Sequence, residues 1–179
     1  SEATATIDMI KAAKEFMRDS LNMYLNHELF ITGYSQGGHA AMATAKYIQD
    51  SNALPQFDII GAGPASGPYN MSGTQVATLL SNQPYSNPGY VCYLLFGLNR
   101  VYGDLFQQYS DILKAPYDTL IPPYFDGTHD MVVVNALLPD TITGFIQDSI
   151  LQNIKNDSIT KNHPIWRALL AQDNFDWKP

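Results

Sequence analysis

Residues 28–48 read ELFITGYSQGGHAAMATAKYI. The first part, Leu29-Phe30-Ile31-Thr32, is β-prone, too short for a helix and bounded by turn signals, which predicts a buried strand. The last part is rich in alanine and predicts a helix over 36–50 that packs closely on a sheet. Between them, Gly33 and Gly37 flank Ser35 in a Gly-x-Ser-x-Gly pattern, with Gly38 following. A strand that turns sharply into a helix strains the turn residue and holds its side chain clear of both elements. Glycines at 33 and 37 are expected because a side chain at either place would collide across the turn. In that setting Ser35 is a candidate nucleophile. The helix N-terminus beneath it favours developing negative charge, and the backbone N–H of Gln36 is a candidate oxyanion donor. The rival reading is a glycine-rich turn without chemistry. A phosphate-binding loop lacks its Lys-Ser/Thr pair here.

Working outward, residues 3–26 place Ile7, Ile10, Met17, Leu21 and Leu25 at steps near three and four, one face of an amphipathic helix. The run from Phe57 to Pro64 predicts a second strand closed by glycines. Helix, strand, helix, strand argues for parallel-sheet α/β architecture. After Pro68 the character changes to helix-length segments punctuated by prolines, expected near 73–82, 100–114, 129–138, 141–155 and 164–171. The expected division is therefore an α/β segment over 1–68 and a mostly helical region over 69–179. The stretch YVCYLLFGL at 90–98 is the most apolar; core is the favoured reading, a lipid-facing wall the alternative.

Composition sets further limits. The chain has 179 residues, one domain's length, with 45% apolar content and a formal charge of -7. It has no basic cluster, which argues against nucleic acid as partner. Cys92 is the only cysteine, so an internal disulfide or Cys-based metal site is excluded. No apolar run reaches the ~18 residues of a membrane span. The N-terminal residues, with Glu2 and Asp8 early, do not read as a signal peptide.

The elbow followed by HAAMATAKYI, together with GAGPASGPYNMSGT, NPGYVCYLLFGLNRVYGD, APYDTLIPPYFDGTHD and NALLP, resembles the secreted lipase/esterase branch of α/β-hydrolases. The resemblance covers most of the chain. It implies a Ser-Asp-His hydrolase with a helical lid, an acyl-enzyme mechanism, no cofactor or metal, a small-molecule ester or lipid substrate, and secretion. A serine peptidase of the same fold, or a non-catalytic binding module derived from a hydrolase, are the alternatives.

A serine needs a base, and the base an orienting carboxylate. The histidines are His27, His39, His129 and His163. His27 lies at the far end of the strand from the elbow. His39 reads as a packing residue one turn into the helix, and His163 as part of a helix start before Pro164. His129, in DGTHDM, has Asp126 and Asp130 beside it and is the candidate base, with Asp130 as candidate acid. Helix capping by Asp126 or Thr128 is the competing explanation. By the resemblance this segment belongs to the lid, and the acid strand and histidine are expected after Pro179. The second oxyanion donor is expected upstream of residue 28. Such a chain would be an inner segment of an enzyme, with a two-strand sheet open to self-association along its edge.

Overall fold

The computed structural model describes residues 1–178, and these divide into two compact units. The first comprises Ser1–Asn70 together with the residues from Asp173 on; the second is Met71–Gln172. The division differs from the expected 1–68 and 69–179 mainly at the C-terminal end. There, local bonds hold the segment to the first unit. Asn174 N–H donates to the Tyr69 carbonyl (3.1 Å), its side-chain amide donates to the His39 carbonyl (3.2 Å), and the Trp177 indole donates to Gln49 (2.7 Å).

The first unit runs α1 (Glu2–Leu21), β1 (Glu28–Tyr34), α2 (Gln36–Ser51) and β2 (Asp58–Ala65). In the first turn of α1 the Thr4 amide donates to the Ser1 hydroxyl (3.2 Å), which satisfies a group that has no partner within the helix. It ends at Asn22 in the left-handed region (φ 51°), four residues before the expected break at Asn26-His27. β1 and β2 pair in parallel from Glu28↔Asp58 to Tyr34↔Ala65, with one register shift between Leu29 and Phe30. Alternation along β1 sends Ile31 into a core with Ile7, Ala41, Ala45 and Ile48. The opposite face carries Phe30 and Tyr34, 69% and 75% exposed.

The second unit is helical. It comprises a π-turn at Met71–Gln75 leading into α3 (Val76–Leu80), then α4 (Gly89–Tyr102), α5 (Tyr117–Leu120), α6 (Met131–Leu137), α7 (Asp148–Asn156) and α8 (Pro164–Leu170). Its core joins Val91, Cys92, Leu95, Ile112, Leu113, Phe145, Ile146, Ile165 and Trp166, among others. The apolar stretch at 90–98 is thus most of α4, with Val91, Cys92, Leu95 and Leu98 on the buried face.

The helix expected over 100–114 is corrected. α4 stops at Tyr102 because Gly103 takes a left-handed conformation (φ 77°), a common way for a helix to close its last carbonyls. Beyond it, Asn99 Oδ1 accepts from the Leu105 and Phe106 amides (3.0 and 3.2 Å), and Asp111 Oδ2 accepts from Gln107 and Gln108 (2.9 and 3.0 Å). The helix expected over 141–155 starts late, at Asp148. Residues 112–114 pair with 145–147 instead: Lys114 N–H donates to the Phe145 carbonyl (2.8 Å), and Gln147 N–H to the Ile112 carbonyl (2.9 Å). The Gln147 side chain also donates to the carbonyls of Ser110 and Leu113.

Candidate functional site

The elbow forms where β1 meets α2. Ser35 sits between them at φ 57°, ψ −121°, a conformation that costs a non-glycine residue roughly 1–3 kcal/mol and persists only where its surroundings over-determine it. Those surroundings are visible. Ser35 N–H donates to the Ala65 carbonyl at the end of β2 (2.9 Å), and the Ser35 carbonyl accepts from His39 N–H (3.1 Å), the first turn of α2. Ser35 occupies the N-cap position, where serine ordinarily turns its hydroxyl onto the helix amides. Here it makes no such bond, and the residue is exposed. The hydroxyl is thus not spent on capping.

The glycines separate by role. A Cβ on Gly33 would lie 2.1 Å from the Gly37 carbonyl oxygen, so the expected collision exists there. At Gly37 a Cβ meets nothing within 4 Å, and the reason given for that glycine from sequence is corrected. The second tight place is Gly38, where a Cβ would come 2.4 Å from the Ala65 carbonyl oxygen. Gly67 adds a third, with a Cβ 2.6 Å from the His39 amide nitrogen. The turn leaving β2, with Ser66 at φ 51°, therefore presses on the first turn of α2.

Gln36 follows Ser35 as the first residue of α2, where its N–H belongs to the group of amides that the helix itself leaves unbonded. Its side-chain amide donates to Glu2 Oε1 (2.5 Å), and the other Glu2 oxygen lies 3.9 Å from His39 Nδ1. Nothing in the sequence pointed to a role for Glu2, Ala65 or Asn174 at this site. The only available hint was the Ser66-Gly67 pair, which marks a turn after the second strand.

The structure brings Gly33, Ser35, Gln36 and Gly37 together in the first unit; His129 and Asp130 belong to the second. His129 Nδ1 is 3.0 Å from Asp126 Oδ1, and its ring meets Tyr124 edge-on at 4.9 Å between centroids. Asp126 also accepts from the Thr128 amide and hydroxyl. The Thr128 amide, then His129 and the Thr128 hydroxyl, hold the Asp126 carboxyl well below the usual carboxylate range. Asp130 accepts from Val132 N–H (2.9 Å) and is itself the N-cap of α6, so the expected cap at Asp126 or Thr128 moves to Asp130. The remaining histidines have local partners: His27 Nδ1 lies 3.3 Å from the Gln56 carbonyl, and His163 caps α8 by accepting from Ile165 N–H (3.3 Å). Burial pushes the Cys92 thiol up to about 12, which keeps it protonated and unreactive. Among the described residues no group of three or more His, Cys, Asp or Glu side chains could hold a metal ion, and no helix is long and apolar enough to cross a membrane.

A parallel strand pair, a serine elbow and a largely helical second unit define a partial α/β-hydrolase. The secretory lipase family profile matches residues 1–175, and the chain belongs to that family. Solved structures with the same fold include the rice cell wall degrading esterase LipA from Xanthomonas oryzae, at 24% identity and a TM-score of 0.85. A ligand-bound form of the same esterase gives a TM-score of 0.84. A candidate hydrolase from Legionella pneumophila is also 24% identical, with a TM-score of 0.84. Each match covers 100% of this chain but only 46–47% of the other, so the chain spans about half the length of these structures. The comparison with curated proteins gave no match.

Proposed function

We infer that these residues carry the nucleophile of a serine carboxylic-ester hydrolase. One observation carries the reading: an exposed serine between strand and helix, held at positive φ, whose hydroxyl forgoes the cap. Membership of the secretory lipase family supports it. In this reading Ser35 Oγ attacks the ester carbonyl carbon while a base takes its proton. The Gln36 N–H faces the oxyanion, and the alkoxide leaves with the proton returned by the base. Water then attacks the acyl-enzyme by the same route and frees the acid. In this reading base and acid come from outside these residues, in the chain order that the likeness to lipases and esterases implies.

The test is made on the intact protein with p-nitrophenyl esters and matched peptide amides. Ser35→Ala should lower ester kcat by ~10⁴–10⁶ and abolish labelling by a fluorophosphonate. Turnover of amides in preference to esters would select the peptidase reading. Wild-type turnover by Ser35→Ala would end the proposal.

A further inference from the structure

The strained elbow has a third restraint beside the two backbone bonds. Glu2 stands in the first turn of α1, fixed by the Thr4 amide bonding to the Ser1 hydroxyl and by the Thr6 hydroxyl bonding to its carbonyl (2.9 Å). Its carboxylate reaches across to α2. There it accepts from the Gln36 side-chain amide at 2.5 Å and lies 3.9 Å from His39 Nδ1. Gln36 and His39 are three residues apart, so they share one face of the helix. A bond to an ionised acceptor is about twice as strong as a neutral one. Relaxing Ser35 by rotating the peptide between residues 35 and 36 would swing the Gln36 N–H away. Glu2 grips the residue that would have to move.

We propose that Glu2 is a positioning residue, which acts through the Gln36 side chain to hold the Gln36 N–H in line for the oxyanion. The proposal rests on the hydrolase reading above. The carboxylate has an opposing effect as well: a negative charge near the site disfavours an oxyanion. The two effects separate by substitution. Glu2→Gln keeps an oxygen for the Gln36 amide and removes the charge. Glu2→Ala removes both.

The experiment measures kcat and KM for p-nitrophenyl butyrate on the intact protein, with thermal unfolding recorded for each variant. Glu2→Ala should lower kcat roughly tenfold with KM little changed, short of the ~10²–10³ lost with an oxyanion donor itself. Glu2→Gln should restore kcat to within about twofold of wild type. Gln36→Ala, which keeps its N–H, should reproduce the Glu2→Ala loss and serves if Glu2→Ala does not fold. The double variant should be no slower than either single, the mark of two residues acting as a unit. Equal kcat losses for Glu2→Ala and Glu2→Gln, multiplied losses in the double variant, or unchanged kcat in Glu2→Ala would each overturn the proposal. In all three cases a dead Ser35→Ala leaves the hydrolase reading intact. An active Ser35→Ala defeats both.

Discussion

At the scale of single residues, the elbow depends on missing side chains more than on present ones. Gly33→Ala and Gly38→Ala each drive a methyl into a backbone carbonyl oxygen, at 2.1 and 2.4 Å, and a backbone cannot step aside as a flexible side chain can. Each should cost about 1–3 kcal/mol or more, the range for overpacking. Gly37→Ala meets open space and sits inside α2, where alanine is favoured over glycine by up to ~1 kcal/mol. Urea unfolding of the three variants should rank Gly37→Ala at or above wild type and the other two well below. The pattern Gly-x-Ser-x-Gly was legible in the sequence because the turn is local, and every atom needed to recognise it lies within six residues. The need for glycine at 33 was legible too, because its clash is with Gly37, but the need at 38 was not: it depends on Ala65, distant in sequence and brought close only by strand pairing. The Glu2–Gln36 contact was hidden for the same reason, since it exists only once α1 packs on α2.

Among the elements, periodicity served where one face is polar and failed where it is not. β1, α2 and β2 fell within two residues of expectation, whereas α4 was missed. Its YVCYLLFGL run is apolar on nearly every side, so a three-four spacing does not stand out from a two-residue one. The false helix over 100–114 has a different cause. Side chains of Asn99 and Asp111 take up the amides that a helix would use, a competition that short polar residues offer wherever geometry allows. In the turn ahead of α6, Asp126 shows the same habit. Its carboxyl titrates below the ordinary range because its charged form is bonded to Thr128 and His129. A depressed folded-state value adds stability above the unfolded pKa, and that stability is lost as pH falls through the folded one. Asp126→Asn should therefore be less stable than wild type at neutral pH. The gap in midpoint temperature should narrow as pH drops below ~4, read by circular dichroism melts across pH 2–7. A gap that widens in acid would contradict the bonding described.

For the molecule as a whole, two separate cores raise the question of whether the units unfold together. Cys92 answers it with one thiol. It is fully buried in the helical unit, burial holds it protonated, and it is the only cysteine in the chain. Reaction with a thiol reagent should be negligible in the native state and appear only when that unit opens, because the thiolate is the reactive form. Trp177 bonds to Gln49 in the first unit and reports on that unit once Trp166, in the helical core, is replaced by Phe. In a denaturant series, loss of Trp177 environment before Cys92 labelling would mean the smaller, two-stranded unit gives way first. Prompt labelling of native protein would contradict the buried α4.

The hydrogen bond between the Tyr69 carbonyl and the Asn174 amide has a topological meaning. It sutures the point where the polypeptide departs for the helices to the point where it comes home. Whatever lies between is a cassette on a closed ring of chain. Doubling such a ring costs only ~0.6 kcal/mol of closure entropy. Helices can thus be lengthened, traded or rewritten inside the cassette while the bend that aims Ser35 stays where it is.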